Sequence, residues 1–337
     1  MEATLARRAR LELIYQGVNL DALSVQVAYT DHAQGQLDEL EVRLEDRDGL
    51  WRGPRFPGKG ERVSARILCL DWRGPGRSSV LDCGSFEIDE VCLDGPPDMV
   101  SLKAHSARVS RSARTDRKKT GWEMVGLRTI AGEIAGRAGL QLWWEGNDRF
   151  YERVEQREES DLSFLRRLCR DVGNLVKVAD EKLIVYAGQS WESRPPAVAL
   201  VRGQAWIKNY RFQTQAHDIY RGAVVSYWHP QRRELIQARY FPPDAPPTGE
   251  VLQINQRVES LAEAERLARS RLKAKNRVEV EAQFTLVGDT RLRAATTAAV
   301  EGFGHFDGIY FVEEASHLLD SRGGYTTRLT LLKGRSY

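Results

Sequence analysis

Asp38-Glu39-Leu40-Glu41-Val42-Arg43-Leu44-Glu45 alternates without a break: Leu40, Val42 and Leu44 fall on one face, Glu41, Arg43 and Glu45 on the other. Period 2 marks a strand that lays one face on a core and the other in water or on a partner. The pattern returns further along the chain. Residues 62–70 (RVSARILCL) put Val63, Ala65, Ile67 and Cys69 on one face. Between the two runs, Pro54, Pro57, Gly58 and Gly60 interrupt any regular element. Runs at 78–93 and 98–105 flank Asp94-Gly95-Pro96-Pro97-Asp98, a turn signal. Short strands with turns between them predict an antiparallel barrel or sandwich in the first third.

The middle changes period. Leu127, Ile130, Ala131, Ile134, Ala135 and Ala138 follow i, i+3, i+4, i+7, which predicts an amphipathic helix over 126–139. Gly132 and Gly136 weaken that helix, so close packing against a neighbour is expected to compensate. A short strand is expected at 140–144. Ser160 then caps a second helix over 160–172, with Asp161 in its first turn and a stripe of Leu162, Leu165, Leu168, Cys169 and Val172. Gly173 is placed to end it. The last part returns to strands near 174–187, 205–213 and 218–240. Four prolines mark 241–249 as a loop. Ser260-Leu261-Ala262-Glu263 opens a helix to about 275, with Leu261, Ala264, Leu267, Ala268 and Leu272 as its buried face. Residues 277–288 alternate again through Val278, Val280, Ala282, Phe284 and Leu286, and strands near 308–315 and 325–332 close the chain.

The 337 residues suggest about two domains. A hydrophobic share of 42% rules out global disorder. Fifty basic against 47 acidic residues leave a net charge of only +3. That disfavours a dedicated nucleic-acid binder, which needs a concentrated positive face. No apolar run approaches the roughly 18 residues of a membrane span, and the first residues lack the apolar stretch of a secretory signal. Cys69, Cys83, Cys92 and Cys169 form no C-x-x-C pair, so reduced, buried thiols are expected and no zinc site.

The motifs of nucleotide-binding, serine-hydrolase and zinc-protease chemistry are absent. His32, His105, His217, His229, His305 and His317 are scattered along the chain. A wall-degrading glycosidase would need two carboxylates, and the best candidates are Glu133, Glu145 and Asp148. A basic run at 108–119 carries Arg108, Arg111, Arg114, Arg117, Lys118 and Lys119, with no aromatic residue to stack a base. A loop between domains is the favoured reading, and a phosphate-binding arm the rival. Trp122, Trp143, Trp144, Trp191, Trp206 and Trp228, with Tyr227, are candidates for protein interfaces as well as cores.

Three segments resemble the phage late-control protein D family, the baseplate hub proteins of contractile tails. They are Leu81-Asp82-Cys83-Gly84-Ser85-Phe86-Glu87-Ile88-Asp89-Glu90-Val91 with the turn at 94–98, Thr120-Gly121-Trp122-Glu123, and Glu159-Ser160-Asp161-Leu162-Ser163-Phe164-Leu165-Arg166-Arg167-Leu168. The last also resembles the hub portion of the type VI secretion spike protein. The resemblance implies an α+β, mainly β chain: two antiparallel, tail-tube-like β-barrel domains with a helical insert. Expected boundaries are 1–118 for the first barrel, 119–178 for the insert, and 179–337 for the second barrel with its helix at about 260–275.

The function so implied is a structural hub subunit in the baseplate of a phage or a phage-tail-like particle such as a tailocin, assembled in the bacterial cytoplasm. As a homotrimer with pseudo-six-fold symmetry it joins the hexameric tail tube to a trimeric spike. Its partners would be its own copies, the spike, the tube and other baseplate proteins, with the tape-measure protein a further candidate. No catalytic, cofactor-binding or metal-binding residues are expected, nor specific nucleic-acid binding. Because the sequence stops at Tyr337, the spike is expected on a separate polypeptide. The alternatives are a tail-associated peptidoglycan hydrolase and a nucleic-acid-binding module.

Overall fold

The computed structural model describes residues 7–20, 24–106, 116–179, 181–245, 248–320 and 324–334. The first lobe holds β1 (Arg8–Tyr15), β2 (Val18–Asn19), β3 (Ser24–His32), β4 (Glu39–Glu45), β5 (Arg62–Leu70), β6 (Ser79–Asp94) and β7 (Met99–Ser106). They lie antiparallel in the order β3-β4-β7-β6-β5-β1-β2. Leu40, Val42 and Leu44 from β4 and Val63, Ala65, Ile67 and Cys69 from β5 share one core, the face that alternation predicts. β3 lies at one side of this run and β1 next to its far end, yet Leu13 and Tyr29 join the same core. With little else to cover that face, the sheet must curl over itself like a barrel wall. Trp51 plugs the core from the loop after β4, its backbone N–H donating to Asp46 Oδ1 at 2.9 Å.

The insert runs through β8 (Lys118–Gly126), α1 (Leu127–Ala138), β9 (Gln141–Glu145), β10 (Phe150–Glu159), α2 (Asp161–Asp171), β11 (Asn174–Ala179) and β12 (Lys182–Ala187). β11 and β12 form a hairpin, and β9 joins β12 in parallel. The expected boundary at 178 falls inside that hairpin. Leu183 and Val185 of β12 belong to the insert's core, together with both helices. Asp148 Oδ1 accepts the N–H of Arg128 at 3.0 Å and so caps α1 from outside, because Gly126 has no side chain to do it.

Gly132 and Gly136 depart from expectation. A Cβ at Gly132 would meet Leu142 Cδ2 at 3.9 Å, and one at Gly136 would meet nothing within 4 Å. Close packing therefore does not explain these glycines. Gly136→Ala is expected to stabilise the chain by about 0.5–1 kcal/mol, since alanine lowers the entropy of the unfolded chain at no steric cost. A shift of the denaturant midpoint at constant slope measures it; a loss of stability would mean the helix surface at Gly136 is not open.

The last part holds β13 (Val198–Val201), β14 (Ile207–Thr214), β15 (Gly222–His229), β16 (Glu234–Tyr240), β17 (Val251–Ile254), α3 (Leu261–Asn276), β18 (Val280–Val287), β19 (Thr297–Glu301), β20 (Gly308–Asp320) and β21 (Gly324–Leu332). Ala282, Phe284 and Leu286 build its core with Tyr310, Val312 and Leu329. Val278 stands just before the strand and is exposed. β15, β16 and β17 form a separate sheet under α3, with a core of its own around Val225, Leu267 and Leu272. The last third thus carries a second inserted unit. Ser260 Oγ accepts the N–H of Glu263 at 3.3 Å, as the capping box predicts. Leu261, expected on the buried face, is exposed; ion pairs hold the first turn instead, Glu263 meeting Arg149.

The two lobes are not separate sheets. β20 pairs with β19 at its start and with β21 from Phe311 to Asp320, and on its other edge from Glu314 to Asp320 it pairs with β3 from His32 back to Gln26. One 13-stranded sheet therefore runs through both lobes. The chain is mainly β, with large antiparallel sheets and its long helices confined to the two inserted units.

Candidate functional site

The carboxylates that sequence reading singled out are used structurally. Glu133 accepts the Trp122 indole N–H at 2.7 Å, Glu145 meets Arg194 at 3.2 Å, and Asp148 caps α1. The histidines do not converge. His32 faces Glu314 at 3.4 Å, His105 lies 3.8 Å from Glu39 and from Asp89, and His229 sits 3.1 Å from Glu259, while His217 and His305 are exposed. Among the described residues no three acidic, His or Cys side chains gather as a metal would require, and no helix is long and apolar enough to cross a membrane.

Three of the four cysteines are buried, as expected; Cys92 is not. It stands where β6 runs out past the core, beside Glu90 at 3.3 Å, which pushes its thiol up. Of the basic run, Arg108, Arg111 and Arg114 lie outside the described residues. Lys118 and Lys119 pair with Asp161 at 2.7 Å and Glu158 at 2.9 Å. Trp122 is buried and stacked on Phe164, while Trp144, Trp206 and Tyr227 flank their own cores. Trp143 and Trp228 are exposed, the latter opposite the exposed Leu235. The side chain of Trp191 lies outside the described residues.

What the structure does bring together is a junction of three units. Lys177, on β11 of the insert, pairs with Asp31 of β3, lies 3.1 Å from Asp38 Oδ1, and donates to the carbonyl of His32 at 2.8 Å. Asp31 Oδ2 also accepts the N–H of Ala294 from the second lobe at 3.0 Å. One ammonium thus ties the first lobe, the insert and the second lobe at a single buried point. Burial alone would lower the Lys177 ammonium, but the two carboxylates outweigh it and hold it above its usual value.

Two carboxylates against one lysine leave an excess negative charge. Burial pushes Asp38 up to about 7 despite the attraction of Lys177. Its unfolded value is near 3.9, so between the two the folded chain holds the extra proton and stability falls as pH rises. Asp38→Asn removes that titration while keeping an acceptor for His32 N–H. It is expected to gain on the wild type by about 2–4 kcal/mol between pH ~4 and pH ~7, and to hold that gain above. Urea midpoints at acid and alkaline pH check this; a gap independent of pH would contradict it.

A second seam lies where β20 and β21 meet the first lobe. His317 is fully buried, its Nδ1 2.8 Å from Tyr325 Oη and its Nε2 2.9 Å from the Leu292 carbonyl, with Tyr29 stacked against it. Burial pushes it down to about 4, so it stays neutral. Trp72 Nε1 donates to the Gly288 carbonyl at 2.6 Å, and Arg73 pairs with Asp289. The loop after β5 thereby clips the second lobe.

Between α2 and α3 opens a cleft of about 1140 Å³. Eight cationic side chains line it against three carboxylates, and those carboxylates are engaged. Asp171 pairs with Arg271 at 2.8 Å and accepts from Gln256 at 2.6 Å, Glu263 pairs with Arg149, and Asp148 caps α1. Ser270 Oγ donates to the Asp171 carbonyl at 2.6 Å and pins the two helices side by side. Arg166 and Arg170, one turn apart on α2, and Arg266 on α3 line the cleft, with no carboxylate within ion-pair distance among the described residues. In the sequence these charges lie on two helices about a hundred residues apart, with nothing to show that they meet.

No protein-family model matches the chain. A probable baseplate hub protein of Escherichia phage 186 is 26% identical over 226 residues, which cover 64% of this chain and 55% of that protein. The chain spans about half the length of that curated relative. A tail protein from Neisseria meningitidis MC58 superposes with a TM-score of 0.73 at 12% identity, covering 96% of both chains. A type VI secretion component of E. coli reaches 0.59 at 12% identity, over 96% of this chain and 77% of that one. At such identities the structural likeness speaks for the fold.

Proposed function

We infer from its similarity to the probable baseplate hub proteins of Escherichia phages 186 and P2 that this chain is a structural hub subunit in the tail of a phage or phage-like particle, working by shape and symmetry without catalysis. The observation that carries this reading is the fusion of two β lobes, each with its own core, through the shared ladder of β3 and β20. Two barrel-like lobes held rigidly in one chain let three copies present six similar walls. A trimer then matches a hexameric tube on one side and a trimeric spike on the other. The Lys177 junction and the His317 seam supply the rigidity, because buried, fully bonded contacts resist hinge motion.

In this role the partners are two further copies of the chain, the spike, the tube and neighbouring baseplate proteins. A hydrolytic role has less support, since Glu133, Glu145 and Asp148 are each committed to a different structural contact. Electron microscopy of particles carrying a labelled copy of the chain tests the reading. The label should appear at the junction of tube and spike, three per particle; label along the sheath or in the capsid would refute it. Incubation with peptidoglycan is expected to release no soluble sugars.

A further inference from the structure

The cleft between α2 and α3 holds a charge that the chain itself does not balance. Arg166 Nε is buried and has no hydrogen-bond partner. Burial, with no carboxylate to oppose it, lowers the Arg166 guanidinium from its usual value. A desolvated cation without a counter-ion costs several kcal/mol, so structures keep one only where something completes it. Arg170 extends the same row on α2, and Arg266 and Arg269 face it from α3. Arg269 lies over the Tyr240 ring at 5.0 Å, which orients it without neutralising it.

We propose that this cleft is the docking site for an acidic polypeptide segment of a protein neighbour. Guanidinium forks match carboxylates in geometry as well as charge. The volume exceeds the roughly 300–1,000 Å³ of small-molecule sites, so it fits a run of residues better than a lone ion. The exposed Phe150 at the rim gives the segment an apolar anchor. Nucleic acid fits less well: single strands are held by successive stacking rings, and Phe150 is the one aromatic side chain among the described residues that line the cleft.

The test uses the full chain and a fluorescent short poly-glutamate peptide, with oligothymidylate of equal charge and inorganic phosphate as competitors. The peptide should bind in a salt-dependent manner. Neither competitor should displace it at equal charge. Arg166→Leu and Arg170→Glu should each weaken binding about tenfold or more, whereas Arg55→Glu on the far loop should not. Arg166→Leu should also raise the melting temperature of the free chain, because it removes a half-buried charge with an unpartnered Nε. A structural arginine would do the opposite. Unchanged binding in both cleft variants overturns the proposal, as does equal displacement by oligothymidylate or full displacement by phosphate.

Discussion

Lys177→Met is expected to cost about 3–5 kcal/mol of folding stability. The reason is local and electrostatic. Asp31 and Asp38 are buried beside Lys177, and removing the ammonium leaves two carboxylates facing each other away from water. The loss is not confined to one unit, because Asp31 also holds Ala294 of the second lobe. Equilibrium denaturation should show the midpoint falling with an altered slope, as lobe and insert begin to separate. The deficit should shrink toward acid pH, where Asp38 holds its proton. A variant as stable as the wild type at pH ~8 would mean the junction carries no net energy.

Asp161→Ala is expected to cost a similar amount, about 3–5 kcal/mol. Asp161 is fully buried and receives Lys118 at 2.7 Å, Arg137 at 3.0 Å and Gln156 at 3.1 Å. One carboxylate thus ties α2 to β8, α1 and β10. Burial would raise it, but these partners prevail and hold it below the usual carboxylate range. With the folded value below the unfolded one, the contribution is present above pH ~4 and is lost as acid protonates the group. The variant and the wild type should therefore converge in stability at low pH. Parallel curves down to acid would show that Asp161 acts through packing alone.

The strand faces were legible because burial on one side of a pleat imposes period 2, and Leu40, Val42, Leu44, Val63 and Ile67 obey it. The helix faces were legible for the same reason at period 3.6: all six apolar positions expected of α1 are buried. Phe164 was not placed in the α2 stripe, though it is fully buried on Trp122.

What sequence could not convey is pairing between distant segments. β20 serves both lobes, but Glu313 and Glu314 interrupt its alternation at a bulge, so the run reads as ending there. The unit from β15 to α3 has readable strands, yet its separation from the main sheet depends on partners chosen in three dimensions. Lys177 left a faint signal, a charge flanked by Val176 and Val178 in an apolar strand. Its carboxylates, nearly a whole lobe earlier in the chain, left none. The α2–α3 cleft was invisible likewise, since Arg166 and Arg266 belong to two helices that meet only in the fold.

In the proposed role, three copies of this chain build the hub. Native mass measurement of the purified chain, alone and mixed with a candidate trimeric spike protein, tests this. A species of about three times 38.2 kDa is expected for the hub, carrying three spike chains when the spike is present. A chain that stays at 38.2 kDa at high concentration, with the spike added, would contradict it.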